Sequence, residues 1–184
     1  MHSSLIVPVL ILVSAAPTTP QDKKKIPDGR KEVPAAKINW DGEWALVSDD
    51  SDKVEPLIDE HLKELNFAKR AWWKRKLMAS CKAYMSLDIL VGDAFGVTLG
   101  KEVPADAPLD GTSAEWKRSD GEKLQVSMRK DGPRVTQTFQ GDGYTVTNTY
   151  SMRKDGKTLA LQITYAHPSL ENPFSYKLVF RRAD

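Results

Sequence analysis

The sequence has little of what several large classes of protein require. It contains one cysteine, Cys81, and three histidines. It has no His-x-His, His-Glu-x-x-His or paired-cysteine pattern, so neither an internal disulfide nor a zinc site of ordinary spacing is indicated. A glycine-rich phosphate-binding loop is missing as well. We predict a core that is held by burial alone, a buried Cys81, and no metal or cofactor.

Most of the chain has no marked excess of positive or negative charge. The formal net charge is +2, and residues 22–37 contain six Lys and Arg against three Asp and Glu. Residues 38–184 therefore carry 21 basic and 22 acidic side chains. A protein that holds a nucleic-acid backbone needs a concentrated positive surface, so we expect no nucleic-acid partner. The content of 40% hydrophobic and 28% charged residues is typical of a globular fold.

Long apolar runs are also scarce, and the clearest one lies near the start of the chain. Residues 5–13, LIVPVLILV, precede Ser14, Ala15 and Ala16. The run is too short for a membrane-spanning helix of about 20 residues, and small residues after such a run are typical of a signal-peptidase site. We predict a signal peptide over residues 1–16, cleaved near Ala15 or Ala16, and a secreted or periplasmic protein. The alternative is a core strand at the start of the domain.

The next segment, residues 17–37, contains four prolines and few large apolar side chains. Such a composition buries too little apolar surface to fold, so we predict a disordered, basic, proline-rich linker. The remaining residues, 38–184, are enough to enclose one hydrophobic core. We predict that they form a single domain, and we expect a monomer.

The predicted domain begins with a strand that contains Gly42-Glu43-Trp44. Asp52 and Glu55 have the spacing of a capping box, and apolar residues recur after them at helical intervals, which predicts a helix over residues 53–65. A second helix is predicted over residues 68–82. Its apolar residues at intervals of four are Trp73, Leu77 and Cys81.

From Tyr84 onward the apolar period changes to two, as in strands with one buried face. Met85, Leu87, Ile89 and Val91 are predicted to share one such face, and residues 100–112 are predicted to form a proline-rich loop. Short turns typical of hairpins separate the later strands, at Asp120-Gly121, Asp131-Gly132, Asp142-Gly143 and Asp155-Gly156. The connections are too short for a sandwich, and an open sheet would leave two exposed edges. The pattern predicts a mainly β fold: an antiparallel up-and-down β-barrel of about nine to ten strands, with a helix-turn-helix lid between the first and second strands.

This order of elements resembles the calycin superfamily. Gly42-x-Trp44 on the first strand, a helix pair and a closing meander are similar to its fatty-acid-binding-protein branch. Residues 152–161, MRKDGKTLAL, and 177–181, KLVFR, resemble the ending of exported bacterial lipocalin-like proteins of uncharacterised function. The resemblance covers roughly residues 40–184 and implies an internal cavity for a small hydrophobic molecule such as a lipid or fatty acid. It does not imply a carboxylate clamp, because the positions of the family's Arg-x-Tyr correspond to Leu178 and Phe180 here.

The predicted inner faces contain no acidic residue after residue 113, which disfavours acid–base catalysis, and we expect no catalytic residues. They do contain polar atoms among apolar neighbours, which is typical of a small-molecule site. The candidate ligand-binding residues are Gln137, Asn148, Tyr150, Tyr165, Tyr176 and Trp116. Two alternatives remain open: Gln137 and Asn148 bond each other, or the threonine-rich face of their strand is the inner one.

The second predicted helix is basic and aromatic, with no acidic residue between Ala68 and Lys82. This composition indicates a portal that meets a membrane surface or an anionic ligand, and the candidate portal residues are Trp72, Trp73, Arg70 and Lys74. Alternatively, Asp59, Glu60 and Glu64 of the first helix neutralise it. At the barrel base, we expect Arg181 or Arg182 to stack on Trp44, a structural contact that the family resemblance implies.

Three functional hypotheses follow from these observations. The first is a secreted or periplasmic carrier that holds an apolar molecule inside the barrel. The second is an envelope interaction module whose basic helix contacts anionic lipid or a protein, with a filled barrel core. The third is an enzyme on the same fold, for which the sequence offers no motif.

Overall fold

The computed structural model describes residues 38–183, which form ten strands and two helices. The predicted signal peptide, residues 1–16, and the predicted linker, residues 17–37, lie outside the described residues. In chain order the elements are β1 (Gly42–Leu46), α1 (Val54–His61), α2 (Phe67–Ser80), β2 (Ser86–Val91), β3 (Phe95–Leu99), β4 (Ala105–Ala107), β5 (Asp110–Lys117), β6 (Lys123–Asp131), β7 (Arg134–Gln140), β8 (Thr145–Met152), β9 (Thr158–Ala166) and β10 (Phe174–Arg182). Within this part of the chain, neither helix has the length and apolar character needed to cross a membrane.

The strands form one antiparallel sheet in the order β4-β3-β2-β1-β10-β9-β8-β7-β6-β5. The first strand pairs with the last, since Trp44 is opposite Arg182 and Leu46 is opposite Phe180. The sheet therefore curls into a nearly closed barrel whose ends, β4 and β5, lie next to each other without hydrogen-bonded pairing. The predicted up-and-down barrel with a helix pair between its first two strands is confirmed.

The inner wall follows the period-two pattern of the sequence. On β8, Asn148, Tyr150 and Met152 are buried, whereas Thr147 and Thr149 are half-buried on the opposite face. The alternative with an inward threonine-rich face is therefore wrong. The same alternation buries every second residue along β6, β7 and β9, so most of the core is a lining of side chains on the inside of the barrel.

The predicted capping box and the predicted end of the first helix were wrong. Helix α1 ends at His61 and not at residue 65, and Lys53 is its N-cap without any side-chain cap. Asp52 makes no capping box, because its carboxylate accepts a hydrogen bond from the backbone N–H of Lys177 at 2.7 Å. A contact with a distant strand therefore replaces the local one that the spacing suggested.

The region after the helices differs from prediction in two places. Residues 100–112 are not only a loop, since they contain β4 and the start of β5. Met85 and Val91 do not share the inner face of β2: Met85 precedes the strand and is 69% exposed, and Val91 lies at its exposed end. The two residues between them on that face, Leu87 and Ile89, are buried as predicted.

Candidate ligand-binding cavity

The barrel encloses a cavity of about 170 Å³ at the end that lies beneath the C-terminus of α2. Inward side chains of β3, β6, β7 and β9 supply its apolar wall, which includes Val97, Leu99, Leu124, Phe139 and Ile163. A mostly apolar pocket with a few fixed polar groups is the usual form of a small-molecule site.

Two amides lie side by side in the wall of this cavity. Gln137 on β7 and Asn148 on β8 are direct neighbours in register, and they are 0% and 3% exposed. Asn148 Nδ2 donates to Gln137 Oε1 at 3.2 Å, so the two amides do bond each other, as one of the alternatives proposed. Gln137 Nε2 and Asn148 Oδ1 have no partner among the described residues.

Tyr150 lies behind the amide pair and supports it. Its hydroxyl donates to Gln137 Oε1 at 2.7 Å and lies 3.4 Å from Asn148 Nδ2. Complete burial raises the pKa of this phenol, which keeps it a neutral donor. Because Tyr150 holds the Gln137 carbonyl oxygen, the amide of Gln137 is fixed with its Nε2 end free.

Two of the other predicted ligand-binding residues, Tyr176 and Trp116, line the cavity. The hydroxyl of Tyr176 donates to the carbonyl of Lys82 at 2.9 Å. Trp116 donates from Nε1 to the carbonyl of Pro104 at 2.9 Å.

Tyr150 and Tyr165 are buried without forming part of the cavity wall. Tyr165 stacks on Tyr144, with their ring centroids 5.6 Å apart.

A ring of charged groups surrounds the mouth of the cavity, and the sequence patterns did not predict it. Glu102, which follows β3, forms an ion pair with Lys82 Nζ at 3.1 Å. It also accepts a hydrogen bond from the hydroxyl of Ser119 at 2.6 Å. These contacts, the hydrogen bond from Ser119 first, lower the pKa of Glu102 against the opposing effect of burial. The glutamate thus ties together the end of α2, the segment after β3 and the β5–β6 turn.

The second half of this ring is centred on Arg118. Its guanidinium contacts Asp120 at 2.5 Å and Glu122 at 2.6 Å, and the hydrogen bond from Arg118 is the main reason that the pKa of Asp120 falls to about 2. Tyr144 donates to Glu122 at 2.8 Å. Its ring lies against Gly141, where a methyl group would clash with it. We call the seven residues of both halves the mouth ring: Lys82, Glu102, Arg118, Ser119, Asp120, Glu122 and Tyr144.

The four predicted portal residues lie away from the cavity wall. Trp73 is buried, and the guanidinium of Arg70 donates to the carbonyls of Leu62 and Lys63 at the end of α1. Lys74 Nζ contacts Asp59 at 2.8 Å and Glu55 at 3.3 Å. Lys74 and Arg70 therefore bind α2 to α1. For Asp59, this is the outcome of the alternative in which acidic residues of the first helix neutralise the second. Trp72 is 46% exposed, and Arg70 is exposed as well.

The barrel base contains the predicted stack on Trp44, which is 1% exposed. Arg182 supplies it, with Cζ 4.4 Å from the centre of the indole ring, whereas Arg181 is exposed on the other face of β10. Cys81 is buried, and burial raises the pKa of its thiol to about 12, so it is a structural residue and not a nucleophile.

No protein-family model matches this sequence, and no curated protein matches it either. Several solved structures, however, match the structure of this chain. A "secretary abundant heat soluble" (SAHS) protein from Ramazzottius varieornatus has a TM-score of 0.50 at 10% identity, over 81% of this chain and 98% of that one. The REP1-NXSQ fatty acid transporter has a TM-score of 0.49 at 14% identity, over 78% of this chain and 96% of that one. The zebrafish ileal bile acid-binding protein complexed with cholic acid has a TM-score of 0.48 at 15% identity, over 78% and 98%.

These identities are low, so the comparison concerns the fold alone. The match to the Ramazzottius varieornatus protein spans nearly all of that chain. This chain, with one strand, two helices and a nine-strand meander, therefore shares the fold of that protein.

Proposed function

We propose that this protein binds a small hydrophobic molecule inside its barrel. The observation that supports this most directly is a pair of buried amide atoms without partners, Gln137 Nε2 and Asn148 Oδ1, in two residues that line a cavity of about 170 Å³. Leaving a buried polar atom unpaired costs about 1–3 kcal/mol, and a ligand that bonds these two atoms would remove that cost. A filled core would be more stable with apolar residues at both positions.

The proposed role is binding and not catalysis. Glu102 and Asp120 are the carboxylates of the described cavity wall. Both are engaged in ion pairs, and the pKa of each is lowered. A general acid or base works best with a pKa near the working pH, so these lowered values are unsuited to proton transfer.

The carrier role is tested by extracting the protein, purified from its native host, with organic solvent and measuring the bound compound per mole of protein by mass spectrometry. We expect Asn148→Leu to reduce this occupancy without a loss of fold, because it removes an amide from an apolar wall. Thr147→Leu is the matched control, since Thr147 lies on the opposite face of β8. An empty wild-type protein that also fails to bind toluene in an NMR titration would contradict the proposal.

We further propose that the carrier acts outside the cytoplasm, because residues 5–16 have the pattern of a signal peptide. N-terminal sequencing of the protein from its native host is the test. A mature chain that begins near Ala16 or Pro17 is expected, and recovery of the chain with Met1 intact would contradict export.

A second candidate function is contact with an anionic membrane surface through α2. Phe67 is 87% exposed, Trp72 is 46% exposed, and Lys76 Nζ lies 5.1 Å from the centre of the Trp72 ring. Exposed aromatic side chains beside basic ones are typical of interfacial helices. Sedimentation with anionic and with neutral vesicles tests this function. It requires binding to the anionic vesicles that is lost in a Phe67→Ser, Trp72→Ser double variant.

A further inference from the structure

We propose that the cavity selects a compact, uncharged molecule that carries a hydroxyl group, about the size of one aromatic ring, and rejects carboxylates. This inference deepens the proposed function and rests on it. It is carried by three observations: the hydrogen-bonding capacity of the amide pair, the charges of the mouth ring and the volume of the cavity.

The two residues of the amide pair line the cavity, and the pair has one donor atom and one acceptor atom without a partner among the described residues. Gln137 Nε2 is the donor and Asn148 Oδ1 is the acceptor, because the bond from Asn148 Nδ2 to Gln137 Oε1 uses the other end of each amide. If the oxygen and nitrogen atoms of both amides were assigned the other way round, the free donor would be on Asn148 and the free acceptor on Gln137. The pair would still have one free donor and one free acceptor. The cavity wall is thus complementary to a group that both accepts and donates a hydrogen bond.

A hydroxyl group meets this requirement, since it has one O–H donor and two acceptor lone pairs. A carboxylate has acceptors only. It would satisfy Gln137 Nε2 but would place negative charge against Asn148 Oδ1, which is a buried atom. Burying an ion without a partner of opposite charge is expensive, so the interior of the cavity disfavours an acid.

The mouth ring provides no free positive charge to compensate. The basic side chains of the described cavity wall are Lys82 and Arg118. Lys82 is paired with Glu102, and Arg118 is paired with both Asp120 and Glu122. The two basic groups are thus balanced by the wall carboxylates Glu102 and Asp120, and Glu122 adds a further contact to Arg118, so an acid that enters here meets no unpaired positive charge.

The volume limits the ligand to a small molecule. Ligand sites commonly measure about 300–1,000 Å³, whereas this cavity measures about 170 Å³. An engineered apolar cavity of about 150 Å³ in another protein takes up benzene. One substituted ring fills a space of this size, and a long acyl chain does not fit inside it.

The test compares three molecules of matched size at pH 7 by NMR titration of the wild-type protein: toluene, p-cresol and p-toluate. We expect p-cresol to bind about tenfold more tightly than toluene, since two hydrogen bonds at about 0.5–1.5 kcal/mol each correspond to about 5- to 150-fold. We expect p-toluate to bind more weakly than both. Gln137→Leu and Asn148→Leu should each abolish the preference for p-cresol over toluene, and Thr147→Leu should leave it unchanged.

The outcomes separate this inference from the proposed function. If p-toluate binds as tightly as p-cresol, the selectivity is wrong while the carrier role stands. Equal binding of toluene and p-cresol would show that the amide pair does not contact the ligand, and would also overturn the inference. If none of the three binds and the purified protein holds no compound, the carrier role itself fails. The comparison on wild-type protein needs no variant to fold.

Discussion

At the scale of single residues, the base of the barrel shows how one glycine and one arginine depend on each other. Gly42 has φ +126°, and a Cβ there would lie 2.8 Å from Arg182 Nη1. This space lets the guanidinium lie over Trp44 and donate to the carbonyls of Asn39 and Asp41. The Gly-x-Trp pattern is therefore one part of a three-residue arrangement that joins the first strand to the last.

Trp44→Ala should lower the free energy of unfolding by about 3–5 kcal/mol, as other buried aromatic truncations do, because the indole is 1% exposed. Urea denaturation followed by circular dichroism measures this. Arg181→Ala is the control, since Arg181 is exposed on the neighbouring position of β10, and it should cost under about 0.5 kcal/mol. A Trp44→Ala protein with an unchanged urea midpoint would show that the indole does not close the base.

The sequence contained the signal that distinguishes Arg182 from Arg181. Phe174, Tyr176, Leu178 and Phe180 alternate on the inner face of β10, and the same parity places residue 182, but not 181, on that face. Asp52 carried no such signal. Its partner, the N–H of Lys177, is 125 residues away along the chain. This contact can replace the local capping motif only after the chain has folded.

At the scale of elements, α2 depends on a local cap and on contacts with α1. The side chain of Asn66 accepts a hydrogen bond from the N–H of Lys69 at 3.0 Å, which satisfies one of the free donors of the first turn. Trp73 and Leu77 are the residues of the helix that reach the core. The cap therefore adds to the stability that these two buried residues provide.

Asn66→Ala should therefore cost about 1 kcal/mol of stability, within the range of about 0.5–2 kcal/mol known for N-cap substitutions. Hydrogen exchange should show the loss first in the amides of the first turn of α2. Asn66→Ser retains an acceptor at the cap and should cost much less. Equal losses in the alanine and serine variants would mean that the side chain of Asn66 acts through another contact.

Elements with clear periodicity were predictable, and short ones were not. Strands β6 to β10 are seven to nine residues long, enough for an alternating pattern to be recognised. Strand β4 has three residues, Ala105–Ala107, and two alanines do not distinguish a buried face. Its pairing with β3, with Ala105 opposite Val97, is set by the neighbouring strand and not by its own sequence.

At the scale of the whole molecule, barrel closure brings together residues that no local pattern connects. The mouth ring combines residues 82, 102, 118–120, 122 and 144, which come from the end of a helix and from three separate loops. In the sequence each looks like an ordinary polar surface residue. Only the order of the strands places them around one opening, which is why the amide pair was predicted as a site and the mouth ring was not.

The mouth ring should make the stability of the molecule depend on acid, and Glu102 is one of the carboxylates that contribute to this dependence. The pKa of Glu102 is lowered from its ordinary value of 4.5, first by the hydrogen bond from Ser119 and also by Lys82. A carboxyl group whose pKa is lower in the folded state contributes its full stability above its unfolded-state pKa. That contribution is lost as the pH falls through the folded-state value.

Glu102→Gln should thus lower the free energy of unfolding at pH 7 by on the order of 1 kcal/mol, and the difference from wild type should shrink as the pH falls below 4.5. Urea denaturation at intervals between pH 7 and pH 3 measures both. Glu115→Gln is the matched control, because Glu115 pairs with Lys123 at 3.0 Å on the surface and its side chain is 57% exposed. It should show a small difference at every pH. If the Glu102→Gln difference were the same at pH 3 as at pH 7, the contacts of the carboxylate with Lys82 and Ser119 would not stabilise the mouth.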